Sequence, residues 1–252
     1  MTVKHMTAED LPGRHAIGGL LQRLTLLCGV SGGGAKLWLR ALFLLPRVPA
    51  AGKTGFVQMI GATMAKQFPQ LEKHHIEFIG RQHMFFSATA APSGRVNLSP
   101  RGTDQLRVLD NSSVVYLDRT GSGNETAAHL RLIPRMTIMF CAVEGPPLIL
   151  RLYGNGRILP RNGSDYERIL NENFGGLEPL GARQMVRLDF DLVQTSCGYG
   201  VPLYDYQGER DTMDRWAEAK GPDGIEAYWH EKNQHSIDGF PSGMFEDATP
   251  FK

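Results

Sequence analysis

Val114-Val-Tyr-Leu-Asp-Arg-Thr-Gly-Ser-Gly-Asn-Glu-Thr-Ala-Ala-His-Leu-Arg131 reads as an apolar strand, a glycine-bearing loop and the opening of a helix. Val114 to Leu117 suit a strand, and Thr120 to Gly123 suit a turn. Asn124 or Ser122 is placed to cap the helix, and Glu125 adds an acid to its first turn. A loop of this kind aims backbone N–H groups into one place, where the helix start adds positive potential. Phosphate-like anions bind at such places. A capped helix after a tight turn, with no ligand, explains the local pattern equally well. Gly121-Ser-Gly123 begins like a dinucleotide fingerprint, but Thr126 stands where the third glycine belongs.

The flanking sequence decides between these readings. Short runs with strand character cover Met84–Ala90, Arg95–Ser99, Leu106–Leu109, Ser113–Asp118, Met136–Ala142, Leu148–Leu159 and Arg183–Thr195. Turn residues separate most of them, at Pro92-Ser-Gly94, Pro100-Arg-Gly102, Asp110-Asn111 and Glu144-Gly-Pro-Pro147. The spacing predicts an antiparallel barrel or sandwich rather than a βαβ fold. Helices are expected at Gln70–Gln82, Asn124–Leu132, about Asp165–Asn173, Arg210–Lys220 and Gly224–Asn233.

The composition, 42% hydrophobic and 21% charged over 252 residues, is that of a globular protein with a full core. A formal charge of +1 gives no whole-chain argument for nucleic acid or an anionic membrane. No apolar run reaches the roughly 18 residues of a bilayer span. Three scattered cysteines, Cys28, Cys141 and Cys197, suit a reducing compartment and a cytoplasmic location.

Residues 1–63 differ from the rest. They carry seven Lys or Arg against two acids, so the remaining chain is net negative. Three readings apply: an organellar transit peptide, a disordered extension, or translation that begins at Met64. The third is favoured, because folded-domain patterning opens directly at Met64. A short helix is expected over Leu20–Leu27, and the glycines of Gly29–Gly34 are expected to break any continuation. Ala51-Gly-Lys-Thr54 looks like the end of a phosphate-binding loop, but Arg47 stands where its first glycine is needed. The expected organisation is an extension over 1–63, a folded domain over 64–241 and a polar tail over 242–252.

Three further segments bear on chemistry. In Gly94-Arg-Val-Asn-Leu-Ser-Pro-Arg-Gly102, alternation puts Arg95, Asn97 and Ser99 on one face and Val96 and Leu98 on the other. The polar face either meets solvent or, with Arg101, supplies donors to a phosphate. In Leu148-Ile-Leu-Arg-Leu-Tyr-Gly154, the lone Arg151 either meets an acid across the sheet or reaches a ligand. Cys197, in Thr195-Ser-Cys-Gly-Tyr-Gly-Val-Pro202, is read as a packing residue. His74 and His75 are read as surface residues, and His129 as structural. The eight histidines show no metal spacing, and no nucleophile elbow appears.

These segments, in this order, resemble the pyridoxamine 5′-phosphate oxidase-like family of flavin-binding split barrels. The resemblance runs from near Phe78 to about Pro241 and is carried by Gln82-His-Met-Phe-Phe-Ser-Ala-Thr-Ala90, Arg95–Gly102, Tyr116–His129, Pro147–Gly154 and Ser196-Cys-Gly-Tyr-Gly-Val-Pro202. It implies an antiparallel split β-barrel with peripheral helices, and a homodimer with FMN at its interface. By resemblance, Arg95 and Arg101 take the place of the family's strand Arg and Lys. Tyr116 to Asp118 line the flavin ring edge, Ser122 and Asn124 face the phosphate, and Arg151 reaches the flavin from the partner subunit. The implied activity is hydride transfer between flavin and a small molecule. The alternative is a non-catalytic module that holds flavin or pyridoxal phosphate. Deazaflavin or haem are the other cofactors the fold implies. Two departures stand out. Ser122-Gly-Asn124 replaces the Ser-Arg-Lys of the true oxidases, which removes two cations. Asn233-Gln-His-Ser-Ile-Asp-Gly-Phe-Pro241 replaces their Arg-Leu-His type ending.

Overall fold

The computed structural model describes residues 65–246. The expectations for residues 1–63 and for a start at Met64 lie outside the described residues. Eight strands and four α-helices follow one another. They are β1 (Lys66–Phe68), α1 (Lys73–Ile79), β2 (Met84–Ala90), β3 (Val96–Gly102), β4 (Leu106–Asp110), β5 (Ser113–Arg119), α2 (Glu125–Leu132), β6 (Arg135–Cys141), β7 (Ile149–Pro160), α3 (Ser164–Asn173), β8 (Ala182–Ser196) and α4 (Thr212–Lys232). All strand pairs are antiparallel, in the order β3-β2-β6-β7-β8-β5-β4, and β1 pairs with β8 as well. This is the antiparallel split barrel that the resemblance implies, and it settles the barrel-or-sandwich alternative left by the strand spacing. The fifteen-residue β8 joins the parts. Its first half pairs with β5, its last residues pair with β1, and its other edge pairs with β7 throughout.

Residues of β2, β5, β6, β7 and β8 supply the main core. Phe85, Tyr116, Ile138, Phe140, Leu150, Leu152 and Leu188 are fully buried there. A second cluster lies under α3, where Val115, Leu117, Tyr166, Ile169 and Met185 meet. Burying each such side chain stabilises the fold by about 1.5–3 kcal/mol before the entropy of ordering is counted. At the bulge in the β7–β8 register, Gly154 lies so close to β8 that an added Cβ would overlap the backbone at Asp189 and Phe190.

Several elements differ from the sequence reading. β3 continues through Pro100 to Gly102, where a turn was expected, because it is an edge strand paired only with β2 and tolerates a residue without an N–H. β1 was not anticipated. Three residues are too few for a periodicity to show. His75 is buried rather than superficial. Its Nδ1 accepts the Glu72 N–H at 3.1 Å, and its ring meets Phe68 edge-on at 4.6 Å. Burial, with His74 beside it, lowers its pKa. The two C-terminal helices run together as α4, with a break at Gly221, whose φ of 65° suits glycine. Packing continues past Pro241: Ser242 is buried and Met244 rests on the Ala217–Ile225–Trp229 cluster. No helix among the described residues is long and apolar enough to cross a membrane.

Candidate functional site

β3 carries polar side chains inward and apolar ones outward, the reverse of an ordinary edge strand. Val96 and Leu98 are 72% and 62% exposed, whereas Asn97, Ser99 and Arg101 are half-buried. The inward face opens on a cleft of about 850 Å³. The opposite wall is the loop Thr120–Gly123 with Glu125 and Thr126 of α2, and the floor includes Arg183. His235, Ser236 and Ile237 close the third side. The two segments singled out in the sequence therefore border one space. Five cations, Arg101, Arg119, Arg183, Arg210 and Lys232, line it against one acid, Glu125. Such a wall favours an anionic ligand.

Pairing of β5 with β8 sets Asp118 opposite Gln184, beside Arg183. Asp118 is 0% exposed. It accepts from Arg101 Nη1 at 2.6 Å, Arg183 Nε at 2.9 Å and Gln184 Nε2 at 2.8 Å. Burial alone would raise its pKa, but Arg183 and Arg101 outweigh burial and hold it below the usual carboxylate range. Arg101 also donates to Ser87 Oγ at 3.3 Å and lies over the Tyr116 ring at 4.7 Å. Burial disfavours its charge, yet Tyr116 and Asp118 together raise its pKa. Two guanidiniums on one carboxylate leave a net positive charge at the cleft wall. Arg119, by contrast, is paired with Asp214 at 2.5 Å and bonded to the Leu180 carbonyl. Arg210 makes no ion pair among the described residues.

Loop carbonyls are held back from the cleft. Arg183 Nη1 takes the Gly123 carbonyl at 2.8 Å, and Asn233 Nδ2 takes the Gly121 carbonyl at 3.1 Å. Thr120 bridges Trp229 Nε1 at 2.7 Å and the Gly181 carbonyl at 2.8 Å. Glu125 accepts the Ile237 N–H at 2.9 Å and so places its carboxylate at the helix start.

The nine residues expected at a cofactor site divide. Asn97, Ser99, Arg101 and Ser122 line the cleft. Tyr116 lies beneath it in the core, with Arg101 stacked over its ring. Asp118 is buried and fully engaged by its three donors, so it does not reach a ring edge. Asn124 occupies the N-cap position of α2, but its side chain makes no cap bond and turns inward to Gln184 at 2.8 Å. Arg95 is exposed and forms an ion pair with Asp238, which also accepts the Arg95 N–H. Arg151 bonds Ser196 Oγ at 3.1 Å, with Gln194 opposite it, and does not line the cleft of its own chain. Sequence reasoning passed over Arg183, Gln184 and Asn233. The available signal was the Arg183-Gln184 pair at the start of β8, just ahead of Met185 and Val186. Among the described residues no three His, Cys, Asp or Glu side chains gather as metal ligands would.

The pyridoxamine 5′-phosphate oxidase family description matches residues 71–197. The pyridoxamine 5′-phosphate oxidase family protein ustO of Aspergillus flavus is 36% identical over 177 residues, which cover 64% of this chain and 71% of that protein. Among solved structures, HupZ of Group A Streptococcus is 18% identical over 53% of this chain and 99% of its own, with a TM-score of 0.41. HutZ, the haem storage protein of Vibrio cholerae, is 20% identical over 49% of this chain and 93% of its own, with a TM-score of 0.38. By its sequence match and by its antiparallel split sheet, the chain belongs to the pyridoxamine 5′-phosphate oxidase family.

Proposed function

We propose that this protein binds FMN in the cleft between β3 and the Thr120–Gly123 loop, and acts as a flavin-dependent oxidoreductase on a small molecule. One observation carries the reading: the polar face of β3 and the glycine loop border the same cationic space. The donors fit a phosphate. Arg101, Ser99 and Ser122 would hold it with the loop N–H groups, while Arg183 on the floor fixes the Gly123 carbonyl. Bound flavin supplies the hydride chemistry, and the protein binds and orients it. Asp118 acts through the two arginines it fixes rather than on the ring. Val96, Leu98 and Pro100 form an exposed apolar strip on the edge strand, which suits the face of a homodimer. Arg151 would then serve the partner's cofactor.

The test is a visible spectrum of the purified full-length chain. Flavin absorbance, or uptake of added FMN with quenching of its fluorescence, is expected. No absorbance and no uptake would overturn the reading, and preferential uptake of haem or pyridoxal phosphate would redirect it. A second reading, a flavin-holding module without turnover, has one observation in its favour. Glu125 and Asp118 cancel part of the cleft's positive charge, which weakens the grip on a second anion such as a substrate phosphate. Anaerobic addition of NADPH separates the two, because only an oxidoreductase bleaches its flavin and turns over.

A further inference from the structure

Asn233 ends α4, where its N–H closes on the Trp229 carbonyl at 2.9 Å. It is 0% exposed. Its side chain faces two groups of opposite demand. Oδ1 accepts from Arg183 Nη1 at 2.8 Å, and Nδ2 donates to the Gly121 carbonyl at 3.1 Å. A carboxamide answers both without a net charge, whereas a carboxylate lacks the donor. The Asn233 carbonyl is itself fixed, by Ser242 Oγ at 2.6 Å.

The consequence follows from peptide planarity. In a trans peptide the C=O and N–H point in opposite directions. Holding the Gly121 carbonyl toward Asn233 therefore turns the Ser122 N–H the other way, away from Asn233. Arg183, held by Asn233, fixes a second peptide, 123–124: its bond to the Gly123 carbonyl turns the Asn124 N–H away from Arg183. The segment beyond Asn233 is anchored independently. Asp238 accepts the Arg95 N–H at 2.7 Å, Ile237 N–H reaches Glu125, and Ser236 N–H closes a hairpin on the Phe240 carbonyl at 2.8 Å.

We propose that Asn233 is a positioning residue for the anion loop. It ties the C-terminal segment to the Gly121 carbonyl and to Arg183, and so presents the loop N–H groups to a bound phosphate. The inference deepens the flavin reading and depends on it only where affinity is measured.

The experiment compares full-length wild type, Asn233→Asp, Asn233→Ala and Ile169→Val by hydrogen–deuterium exchange and FMN titration. Asn233→Asp keeps the acceptor for Arg183 and removes the donor to Gly121. Losing that buried bond is expected to speed amide exchange over residues 120–124 about tenfold and to weaken FMN binding about tenfold. Ile169→Val thins the second core, away from the cleft, and is expected to lower the melting temperature while changing neither readout. Asn233→Asp that exchanges and binds as wild type overturns the proposal. So does equal loosening of the loop by Ile169→Val. If Asn233→Ala fails to fold, Asn233→Asp decides. If wild type binds no flavin, the cofactor reading fails, and exchange over 120–124 still decides the role of Asn233.

Discussion

Replacing Asp118 with Asn isolates the charge at the centre of the cleft wall. The side chain keeps its shape and loses the charge that Arg101 and Arg183 share. Both arginines are then left facing a neutral amide, and the new NH₂ confronts at least one donor among Arg101, Arg183 and Gln184. Breaking a buried ion pair by removing one partner costs about 3–5 kcal/mol. The lower end applies here, because Arg101 borders the cleft and water can reach it, while Arg183 is 4% exposed in its side chain and cannot be relieved that way. At about 2–4 °C per kcal/mol for a domain of this size, the melting temperature should fall by about 6–12 °C. The pH dependence is a sharper check. The folded-state pKa of Asp118 lies below the unfolded value of about 3.9, so its stabilisation is complete above roughly pH 4. It is lost as pH falls through the lower folded value. The stability gap between wild type and Asp118→Asn should therefore be constant from pH 5 to 7 and narrow below pH 4. Urea unfolding followed by circular dichroism across that range measures it. A gap under about 1 kcal/mol at pH 7, or one that does not narrow in acid, refutes the argument that Asp118 holds the two arginines.

Other expectations are more compact. Gly154→Ala forces a Cβ into the β8 backbone and should cost at least about 2–3 kcal/mol, read from the urea midpoint. Arg101→Lys keeps a charge but loses the guanidinium fork and its stacking on Tyr116; FMN binding should weaken about tenfold, with a small loss of stability. Leu98→Asp puts charge on the exposed strip of β3, and sedimentation velocity should show a shift from dimer to monomer with little change in melting temperature. Raising salt from 50 to 200 mM should weaken FMN binding at the cationic wall, and a salt-independent dissociation constant would count against phosphate as the anchored group.

The sheet was legible because most strands obey a simple alternation. β2 begins at Met84 and ends at Ala90 in both sequence and structure, since its aromatic, small and Thr residues run as a strand up to the Pro92-Ser-Gly94 turn signal. Long β7 and β8 were likewise visible as runs with strand character. The loop and the polar face of β3 were legible as separate anion-friendly segments, yet nothing local says that they meet. That meeting depends on β5 and β8 being paired, a contact between residues some sixty positions apart. The same distance hid Arg183. A lone Arg at a strand start looks superficial until its partner, Asp118, is known to lie across from it. Asn124 shows the opposite error. Its sequence position fits a cap, but Gln184 offers a buried bond, and that bond takes the side chain. Burial of His75 depends on β1, a strand too short to leave a periodic trace.

The double duty of β8 also bears on how the chain reaches its native state. β8 must find β5 and β7, and it must also receive β1 from more than a hundred residues upstream. Such non-local pairings carry a large loop-closure entropy and slow folding. Arg183 and Gln184 arrive at Asp118 only when β8 docks, so a chain collapsed around β2, β6 and β7 would hold Asp118 without either donor from β8. The anion cleft therefore cannot be complete before β8 docks. A ligand that binds it would select molecules with β8 docked and so raise the stability of the whole domain.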